Sequence, residues 1–344
     1  MGGGTLRQKL QDPTIYPDHT TTVEVQETHI SLVFLTDHYA YKIKKPVDLG
    51  FLDFSTLDRR RFYCDQELEL NRRLTSDVYL EVCTIHHDKG RYSFDGIGSI
   101  VEYALKMRRL SADRSLEALL QHAAVTPAAM ATLAQRLAEF HAAHPLPIGI
   151  EPHDHLTQVR TNWHENFVQT TDCIGTTLSN ATYGHIRQTI TAFLTQHTDW
   201  FTQRVHAERI RDCHGDVRAE HIYFEPQQLQ IIDCIEFNQR FRHIDVASEV
   251  AFLAVDLERL GASHLAQHFL RAYVQHSGDV SLYRLLDFYR CYRAYVRGKV
   301  VSMHLRNAPP EQAVPLQQHA ETFFTVAAQY ATRLTGGDNV SQTS

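Results

Sequence analysis

The sequence predicts an α+β chain in two lobes, a small N-terminal antiparallel sheet carrying one helix and a larger, mainly helical C-terminal lobe. Three observations lead there. Short β-prone runs crowd the stretch before residue 108, and helical periodicity governs most of the chain after Pro127. One isolated hairpin pattern, between Ile222 and Ile232, interrupts that helical stretch. The expected division is 1–104 for the sheet lobe, 105–335 for the helical lobe and 336–344 for a frayed polar tail.

In order, residues 23–26 and 32–35 read as strands around a loop of sequence ETHIS. The turn at Asp37 and His38 leads to a third strand, AYKIKK, which Pro46 ends. An apolar loop, GFLDF (50–54), comes next, and the sequence supplies no role for it. A helix is expected over 57–74 with Ser55 or Thr56 at its N-cap, where a side-chain oxygen takes an otherwise unsatisfied amide. Residues 79–86 and 98–107 complete a five-stranded sheet. Helices are then expected over 127–144, 155–170, 181–204, 247–260, 263–276, 281–305 and 311–334, with HPLPIGIEPHD as the clearest loop among them. The close pair His153 and His155 ends that loop and reads as solvated.

Bulk properties narrow the function. The 344 residues, 43% hydrophobic and 22% charged, suit a globular protein with a large core. A formal charge of -6 lacks the basic surplus of a nucleic-acid binder, so no such partner is expected. No apolar run approaches the roughly 18 residues of a membrane span, and the N-terminus has no signal-peptide core. No membrane partner is therefore expected, and the expected compartment is the cytoplasm. Cys64, Cys83, Cys173, Cys213, Cys234 and Cys291 contain no C-x-x-C pair, which points to unbridged thiols rather than a disulfide framework or a zinc site.

The chemistry concentrates in CHGDVRAEHIYFEPQQLQIIDCIEF, where Asp216 precedes the hairpin and Asp233 ends it. Phosphoryl transfer needs such a pair, one carboxylate to orient a hydroxyl and another to hold a divalent cation on nucleotide phosphates. Gly215 lets the backbone adopt conformations that other residues resist. A lone His-Gly-Asp would be a turn cap as readily as a base; the second acid at the hairpin's far end favours the catalytic reading. In AYKIKK, alternation puts Ala40, Lys42 and Lys44 on one face and Tyr41 and Ile43 on the other. A lysine there can hold phosphate, and the alternation alone does not separate Lys42 from Lys44. On the following helix Tyr63, Glu67, Leu70 and Leu74 share a stripe, so Glu67 points inward and needs a cationic partner.

This order of strand lysine, helix glutamate, His-Gly-Asp loop and strand-terminal Asp resembles the aminoglycoside phosphotransferase family of protein-kinase-like enzymes. More narrowly, the stretch from ETHISLVFL to DQELELNRRL, with HGDVRAEHIYF and IIDCIEFNQRFRHIDVASEVAFL, is similar to a bacterial branch of predicted phosphotransferases often fused to a P-loop kinase domain. The resemblance spans 23–334 and implies the two-lobed protein-kinase-like fold with ATP and Mg²⁺ as cofactors. It implies Lys42 as the phosphate-contacting lysine, Glu67 as its partner, Asp216 as the catalytic aspartate and Asp233 as the metal ligand. ETHIS, with His29 and Ser31, becomes the nucleotide-covering loop. VEYALKM (101–107), with Glu102 and Ala104, becomes a hinge that reads adenine through its backbone, and Asp245 becomes a brace for the catalytic loop, although a helix cap before Val246 would look the same from sequence.

Two departures matter. His221 stands where the family has asparagine. Imidazole is a poor magnesium ligand, so His221 is expected to contact phosphate or a metal-bound water. No G-x-x-x-x-G-K-[ST] occurs either; the pair Gly298–Lys299 has Arg293 where the leading glycine belongs, so no P-loop partner is expected among these residues.

For the acceptor, Arg290, Arg293 and Arg297 form a basic stripe that disfavours a polycationic aminoglycoside and suits phosphate or carboxylate. The alternative is that these arginines are solvated or pair with Asp287 and Glu249. The expected activity is ATP-dependent transfer of a phosphoryl group to a hydroxyl of a small metabolite, a sugar or sugar acid. Two other readings stay open: a catalytically weak nucleotide sensor or scaffold, hinted at by His221, and a protein kinase. Against the latter, only the eleven residues 234–244 separate Asp233 from Asp245, too few for an activation segment.

Overall fold

Local sequence rules place most of the elements. The computed structural model describes residues 3–147, 154–226, 228–306 and 308–336. Its chain begins with α1 (Gly3–Lys9), β1 (Glu24–Glu27), β2 (Ser31–Leu35), β3 (Tyr39–Lys44), α2 (Leu57–Asn71), β4 (Tyr79–Asp88), β5 (Arg91–Phe94), β6 (Ser99–Arg108) and α3 (Leu116–Gln121). Next come α4 (Pro127–Ala143), α5 (His155–Gln169), α6 (Asn180–Gln196), α7 (Thr198–His206), β7 (Ile210–Asp212), β8 (Ile222–Phe224) and β9 (Leu229–Ile231). Last are β10 (His243–Asp245), α8 (Val246–Arg259), α9 (Ser263–Ser277), α10 (Leu282–Leu305) and α11 (Pro310–Gly336). Two compact units result. One holds the chain up to Ala123 together with Glu220–Gln239, and the other holds Ala124–Ala219 with the chain from Arg240 onward. The units therefore part at 123/124 rather than 104/105, and the hairpin β8–β9 groups with the sheet. Beyond Gly336 the expected tail lies outside the described residues.

In the first unit the sheet is antiparallel with the order β1-β2-β3-β6-β4-β5. It has six strands, not the expected five. The missed strand, β5, pairs with β4 across Lys89 and Gly90, whose φ values of 44° and 84° belong to the two-residue turn that a right-handed strand twist favours. Lysine in place of the usual Asn or Asp hid that turn. Thr56 caps α2, its side chain accepting from the Arg59 amide.

Alternation along β3 separates two apolar clusters. Tyr41 and Ile43 pack with Phe34, Ile85 and Phe94, whereas Ala40 packs with Val78, Tyr79, Leu105 and Met107, bordered by Val33, Leu110 and Ile232. Lys42 and Lys44 share the face of Ala40. The hairpin β8–β9 pairs Ile222 with Ile231, and the Ile231 amide donates to Leu74 O at 3.4 Å, beyond the end of α2.

In the second unit α8 is buried from Val246 to Leu257 and packs against α9 and α10. The expected helix 181–204 is two helices, α6 and α7. His197 leaves helical geometry (φ -113°, ψ 28°), and the Thr198 hydroxyl donates to Leu194 O at 3.0 Å, competing with the backbone ladder. β7 and β10 form a short antiparallel pair too brief to show as alternation. Gly298, half of the Gly-Lys pair, sits where a Cβ would come within 2.9 Å of the Phe324 ring; the glycine serves the close packing of α10 on α11. Among the described residues no helix is long and apolar enough to cross a membrane. The six cysteines are buried, and none forms a disulfide.

Candidate active site

Within the first unit, three acids gather around two amines. Lys42 Nζ lies 2.7 Å from Glu67 Oε1 and 2.5 Å from Asp233 Oδ1. Lys44 Nζ lies 2.7 Å from Glu67 Oε2 and also pairs with Glu236. Glu67 thus gives one oxygen to each lysine. Exposure separates the two that alternation could not. The Lys42 side chain is 13% exposed and reaches Asp233, itself 41% exposed, whereas Lys44 is 1% exposed and sits 4.8 Å from the centre of the Phe54 ring. Lys42 is the more exposed of the two and the one that meets a part-exposed acid.

The same contact gives the apolar loop a role. Phe54 is fully buried over Lys44, its carbonyl accepts from Arg60, and the Phe51 carbonyl accepts from Asn238. The loop seals the inner half of the charge cluster.

Electrostatics follows this division. Burial works against the charge on both lysines, but Asp233 and Glu67 hold the Lys42 pKa well above its ordinary value, and Glu236 and Glu67 do the same for Lys44. Burial also works against the Glu67 carboxylate, and the two lysines overcome it, so its pKa lies below the usual value. Burial wins at Glu236, whose pKa is raised despite Lys44. Of the two buried acids, Glu236 takes a proton more readily than Glu67.

Asp233 adopts a left-handed backbone, φ 66°, an uncommon state for a residue other than glycine. Its amide donates to Tyr79 Oη at 3.0 Å, and the next amide, of Cys234, donates to Asn71 Oδ1 at 2.9 Å. These two contacts, from β4 and α2, hold the conformation. His221 Nε2 stands 3.6 Å from Asp233 Oδ2, and the His221 carbonyl accepts from the Ile232 amide, closing the hairpin base.

The ETHIS loop turns between β1 and β2 on reciprocal contacts of Thr28 and Ser31; Ser31 is buried and His29 is exposed. The expected hinge is corrected. Residues 101–107 lie inside β6, where Glu102 pairs with Ile85, Ala104 with Cys83, and Leu105 with both Val82 and Lys42. A backbone held in a sheet ladder is not a reader of adenine, and the Glu102 carboxylate is taken by Arg60 Nε at 2.9 Å. The strand ends only at Arg108.

In the second unit, His214, Gly215 and Asp216 form a loop pinned by an acid that the sequence pattern did not single out as its brace. Glu249 on α8 accepts from the His214 amide (2.9 Å) and the Gly215 amide (2.5 Å), and its Oε1 lies 3.0 Å from His141 Nε2. His141 Nδ1 in turn meets Tyr273 Oη at 2.8 Å. Despite burial, those donors hold the Glu249 pKa down to about 2. The expected brace, Asp245, instead caps α8 through the Ala247 amide and takes Arg204. The available signal was one carboxylate a turn after that cap, in the otherwise apolar run VASEVAFLAV.

Gly215 has φ 91°, and its carbonyl accepts from Arg293 at 3.1 Å. Asp216 is gripped by Arg218 through two contacts of 2.9 Å. The arginine stripe is therefore divided. Arg290 pairs with Glu258 (2.9 Å) and Asp287 (3.2 Å), Arg293 holds the Gly215 carbonyl and Ser248, and Arg297 has a ring contact with Phe323. His155 is buried against Tyr289 rather than solvated, while His153 lies outside the described residues.

The choline kinase of Cryptosporidium parvum Iowa II superposes with a TM-score of 0.57 at 10% identity, covering 98% of this chain and 96% of that one. The fold is the protein-kinase-like fold of the choline kinases and aminoglycoside phosphotransferases. A choline/ethanolamine kinase family protein of Mesorhizobium loti shares it (TM-score 0.51, 12% identity, 96% and 99% covered). So does an aminoglycoside phosphotransferase of Alicyclobacillus acidocaldarius (TM-score 0.50, 15% identity, 94% of each chain). No protein-family model matches the chain. Uncharacterized proteins of Mycobacterium tuberculosis and Mycobacterium bovis are 31% identical over 319 residues, covering 92% of this chain. The chain spans 62% of the length of those relatives.

Proposed function

We propose that this kinase-like chain is an ATP-dependent phosphotransferase acting on a hydroxyl of a small molecule. The observation that carries the reading is the Lys42–Glu67–Asp233 constellation: an amine fixed by a fully buried acid beside a part-exposed acid on a strained backbone. Such a set has little structural use for its exposed member and suits a polyphosphate with its cation. The buried cluster of Ala40, Leu105 and Met107 lies on the Lys42 side of the sheet, and the partly buried Val33 and Ile232 at its border offer apolar contact for a purine ring.

The donors fit a magnesium ion. Asp233 supplies carboxylate oxygen, the ligand magnesium prefers, and is exposed enough to take it; His221, an imidazole, is assigned to phosphate or a metal-bound water. When bound, the cation would neutralise charge on the phosphates. Lys42 would exchange Asp233 for phosphate oxygens while Glu67 keeps the amine in place. In the transfer, the acceptor hydroxyl oxygen bonds to the γ-phosphorus, the bond to the β,γ-bridging oxygen breaks, the hydroxyl proton passes to Asp216 and ADP leaves. Arg218 holds both Asp216 oxygens, so Asp216 serves first to orient the hydroxyl and takes its proton late. The buried, unbridged thiols suit the reducing cytoplasm.

The test is a screen of metabolite pools for ATP- and Mg²⁺-dependent phosphoryl gain, run beside Asp216→Ala. A phosphorylated product that the variant does not make is expected. Absence of both ATP binding and ADP release in the wild-type chain would sink the reading.

A further inference from the structure

The charges that act on Arg297 are those of two arginines, Arg218 and Arg259, and two aspartates, Asp216 and Asp256, while Arg293 and Glu249 hold the loop before Asp216. The contacts of the other three arginines are accounted for within the protein. Arg218 takes Asp216, Arg259 takes Asp256 at 2.8 Å, and Arg293 donates to Ser248 and the Gly215 carbonyl. Asp256 also accepts from the Ala219 amide at 2.8 Å, so its second oxygen is engaged as well. Arg297 comes one turn of α10 after Arg293 and so shares the face that meets the residue before Asp216.

Among the described residues Arg297 makes no hydrogen bond or ion pair. Its guanidinium only faces the Phe323 ring, 5.6 Å from the centroid. It is half-buried, and burial together with repulsion from Arg218 lowers its pKa to about 10, the opposite of what a satisfied counter-ion would do. A half-buried guanidinium without an acceptor is unfavourable unless something else supplies one.

We infer that Arg297 anchors an anionic group, a phosphate or a carboxylate, carried by the hydroxyl acceptor beside Asp216. This rests on the phosphotransferase reading, and it separates this chain's acceptor from the cationic amines and aminoglycosides after which proteins sharing its fold are named. The five-donor guanidinium fork matches either oxyanion, while a positive acceptor would meet like charge.

The experiment measures equilibrium binding to the full chain, by calorimetry with ADP and Mg²⁺ present, of three-carbon probes that differ in charge. These are glycerol 3-phosphate, glycerate and glycerol, with the two-carbon ethanolamine as the cation. Nucleotide binding is recorded first and reports on the phosphotransferase reading by itself. The expected result is saturable binding of one or both anions, weakened about 10- to 100-fold by Arg297→Gln and partly restored by Arg297→Lys. Arg187→Gln, on an exposed face of α6, should leave it unchanged. Whichever anion binds more tightly identifies the oxyanion. The inference is overturned if neither anion binds better than glycerol or ethanolamine, or if Arg297→Gln leaves anion binding within a factor of two. Loss of ADP binding by the wild-type chain would instead overturn the reading beneath it.

Discussion

Glu67 and Glu249 are both fully buried carboxylates, yet one holds side-chain charges and the other holds a stretch of backbone. Glu67 divides its oxygens between two lysine amines, one of which also reaches the part-exposed Asp233. Glu249 receives two successive backbone amides and an imidazole, all buried. The contrast shows where each unit is built to change. On the proposed reading, the charge cluster of the first unit exchanges a partner for a ligand at the part-exposed Asp233. The loop of the second unit is held in shape by Glu249, and on the same reading Asp216, at its end, meets the acceptor.

Four measurements put that contrast at risk. The largest effect belongs to Asp216→Asn, which should lower kcat by roughly 10² to 10⁴-fold with little loss of stability; a drop of less than fivefold would remove Asp216 from its role. Next, Glu249→Ala leaves two buried amides and an imidazole without their acceptor. It should cost about 3 kcal/mol in urea unfolding and reduce turnover with it. A variant as stable as the parent would show that the loop holds its shape without the acid.

The two lysines offer a finer comparison inside one unit. Lys44→Met should destabilise by about 2 kcal/mol with nucleotide affinity largely kept, because Glu236 can accept a proton once its partner is gone. Lys42→Met should do the reverse, weakening ATP binding at least tenfold for a smaller stability loss. Equal effects of the two substitutions on ATP affinity would contradict the division of labour.

The smallest effect concerns pH. Burial lowers the pKa of His155 to about 4, and among the described residues its Nδ1 has no hydrogen-bond partner. The unfolded chain binds this proton near the ordinary value of 6.5, whereas the folded chain resists it until about pH 4. Stability is therefore fully present above 6.5 and falls as pH drops toward 4, with a slope approaching about 1.4 kcal/mol per pH unit. His155→Phe should flatten that segment of the pH profile; an unchanged slope would mean that other groups carry it.

Legibility varied with how local each signal was. Glu67 could be singled out because it breaks an inward stripe where a charge needs a partner, and Asp233 because it ends the hairpin that Asp216 precedes. Lys42 and Lys44 stayed equivalent in sequence because period-two alternation gives both the same face. Only Phe54, folding over one of them, and Asp233, reaching the other, made them different. The hinge was misplaced because an apolar strand and an apolar connection look alike until the ladder with β4 and β3 is seen.

Most of the longer helices and strands, the cap at the start of α2 and the inward place of Glu67 were written in the amino-acid order. They depend on side-chain periodicity and backbone chemistry over a few neighbours. Which acid meets which base was settled only when distant elements packed together. Asp245, which from sequence could brace the His-Gly-Asp loop or cap a helix, caps α8 and takes Arg204, and Glu249 one turn later holds the loop. Packing likewise turned Arg293 inward to the Gly215 carbonyl while Arg297 kept no acceptor among the described residues. A buried ion pair is selected by distances of a few ångströms between elements far apart in the chain, and no local pattern encodes those distances.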